Sequence, residues 1–191
     1  MEHQKGQSLA ELVVVLAIIG LALGATATTA GSARKRIALA AATSELRAVF
    51  MSTRALAVAH DRNVAIRFQP AGGQWSWTIY EDGDRDGVRN DDIVRGVDFP
   101  LARTRLFQYP PVRIGVPQIP IPDPATGNPL SLRLPVRFGT SMLCSFSRAG
   151  EATNGSIVLT DGESATVIQV GGTSALIQVW QWRGNGWRKG V

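Results

Sequence analysis

The sequence predicts an α+β protein in which one long N-terminal helix packs on antiparallel β-sheets. Two observations predict this class. No proline occurs from residue 7 to residue 69, and apolar residues recur in this stretch with a helical period. Beyond it, apolar residues alternate with polar ones in short runs separated by turn-forming residues, which indicates β-strands.

The composition is that of a folded chain with one domain and one appendage. Of 191 residues, 45% are hydrophobic and 18% are charged, which excludes a disordered chain and a multi-span membrane protein. The lone Cys144 excludes an intramolecular disulfide, and the two histidines form no zinc-binding pattern. No nucleophile or phosphate-loop pattern occurs either, so we expect a structural protein without a cofactor rather than an enzyme.

The first part of the predicted helix contains an uncharged apolar run, residues 12–30. At about 1.5 Å per residue this run reaches about 28 Å, close to the hydrocarbon thickness of a bilayer. We therefore expect residues 7–31 to form a single transmembrane helix. Lys5 precedes the run and a basic cluster at residues 34–36 follows it, so charge alone does not fix its orientation.

The same helix is expected to continue as an amphipathic segment, residues 32–60. Good helix formers fill this segment, and Leu39, Leu46 and Val49 belong to an apolar stripe that recurs every three or four residues. That stripe predicts a face that lies on a β-rich globular domain, residues 61–191.

The hydrophobic period changes from helical to alternating after residue 60. The runs 64–68 and 75–80 flank a Gly-Gly turn, which predicts a β-hairpin. Eight of the ten prolines fall within residues 110–135, where we expect a rigid, extended surface loop. Further strands are predicted at residues 92–98, 104–109, 112–116, 130–138, 142–147, 155–160, 165–170 and 174–183.

The residues before the apolar run form a processing pattern. Residues 1–6 form a short, mainly polar segment. Glu11 is at the fifth position after Gly6, at the start of the apolar helix. A secretory signal peptide shares the basic start and the apolar run, and small residues near the end of the run could supply its cleavage site. The glycine and the carboxylate together resemble the class III signal of type IV prepilins and type II secretion pseudopilins.

This resemblance implies processing by a prepilin peptidase. In that family the peptidase cuts after the glycine and methylates the new N-terminus. Carried over, residues 1–6 are a leader, the cut falls after Gly6, and Gln7 becomes the N-methylated first residue. The family usually has phenylalanine or another apolar residue where this chain has Gln7.

The position of Glu11 has a physical reason. A carboxylate at the edge of an apolar core costs about a few kcal/mol unless it is paired. Cleavage frees the amine of Gln7 four residues away, and the amine of a neighbouring subunit can approach as well. We expect the pair between Glu11 and the amine of a neighbouring subunit to set the axial register between subunits in a filament. The alternative is that Glu11 lies in the headgroup region and reaches water.

Three stretches resemble the GspH/FimT-type minor pseudopilins: the leader with its helix, a strand that enters an acidic loop at residues 77–93, and a strand, turn and strand at residues 146–159. The resemblance implies a pilin-like fold and assembly with other major and minor pseudopilins. Many members have a Gly-Arg-x-Arg turn that is implicated in DNA binding in the competence-linked FimT branch. The corresponding residues 171–178 of this chain contain no arginine.

The acidic loop is a candidate calcium site. Asp82, Asp84 and Asp86 copy the first half of an EF-hand loop, in which alternate carboxylates bind a hard cation. The twelfth position is Ile93, where an EF-hand has a bidentate glutamate. A calcium site completed by neighbouring polar residues and a solvated Asp/Gly turn both stay open.

The C-terminal tail is a candidate nucleic-acid site. Trp182 and Trp187 alternate with Arg183, Arg188 and Lys189, and aromatic stacking combined with cations can bind single-stranded nucleic acid. The alternative is an edge strand whose tryptophans cover the core or meet a neighbouring pseudopilin.

Together these features predict a minor pseudopilin of a type II secretion system. We expect a single-pass inner-membrane protein of a Gram-negative bacterium, with its β-rich domain in the periplasm facing other pseudopilins, the secretion channel or exported proteins. The first alternative is a FimT-like minor subunit of a type IV pilus that binds DNA for uptake. The second is an ordinary periplasmic protein with a single membrane anchor.

Overall fold

The computed structural model describes residues 9–131, 134–182 and 184–190, without the side chains of residues 22–30. The chain divides into two compact units, Met1–Ile37 and Ala38–Val191, and the β-sheets belong to the second. The helices are α1 (Leu9–His60) and α2 (Asn90–Arg95). The strands are β1 (Val64–Ala71), β2 (Gln74–Glu81), β3 (Phe99–Pro100), β4 (Arg105–Leu106), β5 (Arg113–Ile114), β6 (Val136–Arg137), β7 (Leu143–Phe146), β8 (Gly155–Thr160), β9 (Ala165–Val170), β10 (Ile177–Trp182) and β11 (Trp187–Lys189).

Helix α1 is 52 residues long and ends at His60. Within the second unit its buried residues recur every three or four positions, among them Leu39, Leu46 and Phe50. This spacing places them on one face of the helix, as the sequence predicts. Among the residues that the structure describes, no helix has both the length and the hydropathy of a membrane span.

The end of α1 is closed by a Schellman motif. Asp61 adopts a φ of +51°. Its N–H donates to the Val58 carbonyl at 3.3 Å, and the Arg62 N–H donates to the Ala57 carbonyl at 3.2 Å. These two bonds satisfy carbonyls that would otherwise lack a partner at the helix end. The chain then turns directly into β1.

The first sheet has the strand order β3-β2-β1-β7, and β4 also pairs with β2. The predicted hairpin is confirmed, with β1 and β2 antiparallel and Ala71 opposite Gln74. Gly72 and Gly73 form its two-residue turn with φ of +56° and +80°. Such turns need positive φ at both central positions, which glycine adopts without strain.

The second sheet has the strand order β11-β10-β9-β8-β5, and β6 also pairs with β8. Strands β8 and β9 have the bounds that the sequence predicts. Ile157 and Leu159 point into the main core, whereas Val158 belongs to a separate apolar cluster. Because side chains alternate along a strand, this sheet is apolar on both faces.

The main core joins α1 to both sheets. Its largest buried side chains include Phe50 from α1, Phe68 from β1 and Phe138, which follows β6. Their ring centroids lie 5.9 Å to 6.0 Å apart. The predicted packing of the helix on antiparallel sheets is therefore confirmed for the second unit.

The proline-rich segment covers the outer face of the second sheet. We call residues 116–130 the strap. Its residues Val116, Ile121 and Leu130 are buried in one cluster with residues of β8 and β9. The indole N–H of Trp187 donates to the Pro122 carbonyl at 2.7 Å. Residues 118–120 and 125–129 of the strap are exposed, as expected for a surface loop, but Val116, Ile121 and Leu130 are buried because a sheet that is apolar on both faces needs an apolar cover.

A buried carboxylate ties the strap to the sheet. Asp123 is 6% exposed and forms an ion pair with Arg137 of β6. Its Oδ1 accepts the Ala125 N–H at 2.8 Å, and Arg137 Nε donates to Ser156 Oγ of β8 at 3.0 Å. The strap is therefore held by polar contacts as well as by apolar packing.

Replacing Asp123 by alanine is expected to lower the free energy of unfolding by about 2–4 kcal/mol, because Arg137 loses its partner in a partly buried place. Urea titration followed by tryptophan fluorescence measures this change. Glu151→Gln, at an exposed side chain, is the matched control and should stay within about 0.5 kcal/mol of the parent. Equal stability of the two variants would show that the contact with Arg137 contributes nothing.

Several predicted strands differ from the structure. The strand predicted at residues 92–98 is wrong, because Asn90–Arg95 form α2 instead. Asp91 and Asp92 stand in its first turn, where carboxylates interact favourably with the helix dipole, and Gly96 closes it with a φ of +76°. The predictions at residues 104–109, 112–116 and 130–138 shorten to the two-residue strands β4, β5 and β6.

Candidate functional site

The N-terminal processing pattern lies largely outside the described residues. The leader at residues 1–6 and the predicted cleavage site between Gly6 and Gln7 precede residue 9, where the described chain begins. Glu11 lies in the first turn of α1 as described and is exposed.

The three aspartates of the predicted calcium site do come together. One carboxylate oxygen each from Asp82, Asp84 and Asp86 lies within 4.8 Å of the other two. Asp82 is fully buried, whereas Asp84 and Asp86 are exposed. The group therefore has one member fixed in the interior and two at the surface. We call residues 82–98 the acidic loop.

Asp82 organises the start of the acidic loop. Its Oδ1 accepts the Arg85 N–H at 2.7 Å, and its Oδ2 accepts the Gly87 N–H at 2.9 Å. The same Oδ2 accepts the Asn63 side-chain amide at 2.7 Å, which links the loop to the turn after α1. Both oxygens of this buried carboxylate thus have protein donors, as a buried charge requires.

A second buried carboxylate holds the other end of the loop. Asp98 is 1% exposed, and it accepts the Gly83 N–H at 3.1 Å and the Arg89 N–H at 2.9 Å. A Cβ on Gly83 would lie 1.9 Å from the Val97 carbonyl oxygen, so only glycine fits there. Asn63 and Asp98 carry no local sequence signal, because their partners come from residues that only the fold brings near.

The environment moves the pKa values of two of the aspartates in opposite directions. Burial opposes ionisation of Asp82, but the hydrogen bonds from Asn63, Gly87 and Arg85 outweigh it, so the pKa of Asp82 lies below its ordinary value. Partial burial and the neighbouring Asp84 raise the pKa of Asp86, although Arg89 acts against them.

A cleft of about 410 Å³ lies beside the acidic loop. Asp86 and Arg89 line one side of it, and these two side chains also form an ion pair with each other. Ser145 of β7 and Glu151 line other parts of the wall. The cleft gives Asp86 access to solvent.

The arrangement fits a calcium ion only in part. Calcium takes about 6–8 oxygen ligands, and Asp82 already accepts three N–H donors. Asp84 and Asp86 are exposed, and an ion that binds Asp86 has to compete with Arg89, which is paired with it. Calcium binding therefore stays a prediction, as does the solvated Asp/Gly turn.

Calcium binding to the acidic loop is expected to raise the melting temperature by several degrees at saturating ion, because the ion binds the folded state alone. Differential scanning fluorimetry with and without calcium measures this shift. Asp84→Asn should abolish it, whereas Glu163→Gln, at an exposed side chain in the turn between β8 and β9, should leave it unchanged. An unchanged melting temperature in the parent protein would contradict the calcium site.

The C-terminal tail places its tryptophans against the strap. Trp182 and Trp187 are partly buried, and their ring centroids lie 5.5 Å apart in an edge-to-face arrangement. Arg188 and Lys189 of β11 are exposed, and Arg183 lies outside the described residues. The structure therefore supports the interpretation of the tryptophans as a cover for the core and leaves two described cations on the surface.

Comparisons with known proteins identify the N-terminal segment. Residues 1–27 match the family described as Prokaryotic N-terminal methylation motif. Searches of curated proteins and of solved structures found no match. The match covers the predicted leader, cleavage site and first part of α1.

The matched motif and the fold together support one class of protein. A prepilin-like N-terminal motif followed by a helix packed on antiparallel sheets supports a type IV pilin-like protein. This class implies a structural subunit of the bacterial envelope, processing by prepilin peptidase and assembly with other pilin-like subunits.

Proposed function

We propose that this protein is a minor pseudopilin, a structural subunit of the periplasmic pseudopilus of a type II secretion system. Its leader is cut after Gly6 and the new N-terminus at Gln7 is methylated. Residues 12–30 hold it in the inner membrane until it joins the filament. The β-rich domain lies in the periplasm and meets other pseudopilins, the secretion channel or exported proteins.

The observation that carries the proposal is the N-terminal methylation motif at residues 1–27. A cut after Gly6 would create an amine at Gln7, four residues before Glu11. A carboxylate and an ammonium group at one helix end neutralise each other, so the helix end can enter an apolar bundle at low cost.

The exposed face of α1 supports assembly through the helix. Within the second unit this face bears small or apolar residues at alternating spacings of four and three, which is the pattern of a helix-packing seam. Small residues let a second helix approach closely, and the larger ones offer apolar contact. Met51 and Val58 are 54% and 56% exposed. The seam consists of Ala41, Ser44, Ala48, Met51, Ala55 and Val58.

Mass spectrometry of the N-terminus tests the processing step. Protein recovered from its native envelope is expected to begin at Gln7 and to carry one methyl group. In cells without prepilin peptidase, and in a Gly6→Leu variant, residues 1–6 should remain. An intact leader in the parent protein, or a terminus beyond residue 30, would overturn the proposal, and the latter would identify an ordinary secretory signal.

The second candidate is a FimT-like type IV pilus subunit that binds DNA. The exposed Arg188 and Lys189 favour it. The packing of Trp182 and Trp187 against the strap cluster, and the arginine-free residues 171–178, favour the secretion role.

A DNA-binding measurement separates the two candidates. The soluble part, residues 32–191, is expected not to retard DNA at about 0.15 M salt. Retardation that is lost on substitution of Arg183 and Arg188 would favour the pilus role instead.

A further inference from the structure

We propose that Asn185 is a site of spontaneous deamidation, and that the fold protects the other Asn-Gly sequence of the chain, at Asn154. Both pairs have the same local sequence, asparagine followed by glycine. They differ in what surrounds the glycine. The inference does not depend on the proposed function.

The reaction needs only the chain and water. The backbone nitrogen of the glycine loses its proton to solvent and attacks the carbon of the asparagine side-chain amide. A new C–N bond closes a five-membered imide, and the amide nitrogen takes a proton from water as its bond to carbon breaks and leaves as ammonia. Water then opens the imide on either side, which leaves aspartate or isoaspartate. Glycine favours the attack because it has no side chain to obstruct the backbone rotation.

The surroundings of Gly155 oppose this rotation. Gly155 is the first residue of β8 and stands opposite Val170 of β9. A Cβ at this position would lie 2.2 Å from the Arg137 carbonyl oxygen and 2.4 Å from the ring of Phe138. The peptide between Asn154 and Gly155 therefore turns only if the sheet opens locally, and such openings cost free energy.

The surroundings of Gly186 permit this backbone rotation. Asn185 and Gly186 lie in the turn between β10 and β11, and Asn185 is exposed. Apart from Gly186 itself and its two chain neighbours, no atom of the described residues lies within 4 Å of the position where a Cβ of Gly186 would stand. The turn can rotate this peptide without losing a packed contact, so the attack does not have to wait for the sheet to open.

Deamidation would change the charge of the tail. A neutral amide becomes a carboxylate close in sequence to Arg188 and Lys189, which are both exposed. The new negative charge partly cancels the two cations and weakens any attraction to an anionic partner.

Peptide mapping by mass spectrometry tests the proposal. The full-length protein is kept in detergent at mildly alkaline pH, and the fraction of acid at each asparagine is followed over time. In the folded protein, conversion at Asn185 is expected to be about tenfold or more faster than at Asn154. In the urea-unfolded chain the two rates should become similar. Similar rates in the folded protein, or a faster rate at Asn154, would overturn the proposal.

A matched variant tests the mechanism. Gly186→Ala places a methyl group in open space, so the fold should be retained, yet the methyl obstructs the attacking nitrogen. Conversion at Asn185 is expected to slow by about tenfold, with an unchanged unfolding midpoint in urea. An unchanged rate in this variant would exclude attack by the Gly186 nitrogen.

Discussion

Replacing Asp82 by alanine is expected to lower the free energy of unfolding by about 3–5 kcal/mol. The Arg85 and Gly87 N–H groups and the Asn63 amide, at 2.7 Å to 2.9 Å, would lose their common acceptor in the interior. Urea titration of the full-length protein, followed by tryptophan fluorescence, measures the change. All five tryptophans lie within residues 75–187, so the signal reports on the β-rich unit.

Two further substitutions separate this effect from the loss of an acidic side chain. Asp84→Ala removes a neighbouring but exposed carboxylate and should cost less than about 1 kcal/mol. Asp82→Asn keeps one acceptor oxygen and should fall between the two alanine variants. If Asp82→Ala and Asp84→Ala were equally stable, the buried hydrogen bonds would not be what holds the loop.

The pH dependence follows from the same residue. Its pKa in the folded state is below the value of about 3.9 that an unfolded chain shows. Asp82 therefore contributes its full stabilisation above pH of about 4, and this contribution is lost as the pH falls through the folded-state pKa. The stability advantage of the parent protein over Asp82→Asn should shrink below pH of about 4 and stay constant near neutrality.

Replacing Glu11 by alanine is expected to reduce incorporation into the pseudopilus by about tenfold or more, while the leader is still removed. The reason is that the free amine of Gln7 would then enter the helix bundle without a carboxylate partner. The ratio of this protein in sheared filaments to that in the inner membrane measures the effect. This prediction rests on the proposed function.

Charge and shape can be separated at the same position. Glu11→Gln keeps the shape of the side chain and removes its charge, so it should be as defective as alanine. Glu45→Gln changes a carboxylate further along α1 and should assemble normally, because the ion pair that Glu45 makes with Arg105 in the described part of the chain is long, at 3.7 Å. Normal assembly of Glu11→Gln would show that the charge has no role.

The parts of the fold that could be predicted from sequence are those with local signals. The helical period and the lack of proline predicted α1 to His60, and the Gly-Gly turn predicted the β1–β2 hairpin. Strands β8 and β9 combine dense apolar residues with a short turn, so their bounds also followed from the sequence. In each case the residues that decide the structure are neighbours in the chain.

The parts that could not be predicted depend on distant residues. The run at residues 92–98 contains β-branched residues that favour a strand. In the structure the Gly83 N–H donates to the Asp98 carboxylate, which holds the two ends of the acidic loop together, and α2 forms between them. The strap has the composition of a solvated loop. The burial of its residues Val116, Ile121 and Leu130 follows from a sheet that is apolar on both faces. At the site, the clustering of the aspartates followed from their spacing, whereas the burial of Asp82 depends on Asn63, which lies 19 residues away in the chain.

The strap determines how a neighbour can recognise this side of the domain. Because the strap covers the outer face of the second sheet, an approaching molecule contacts the strap and not the strands beneath it. Residues 118–120 are an exposed part of the strap, and Ile119 is 58% exposed there. Changes there would alter the recognition surface and leave the supporting scaffold intact, so this side of the subunit can acquire a new partner without refolding.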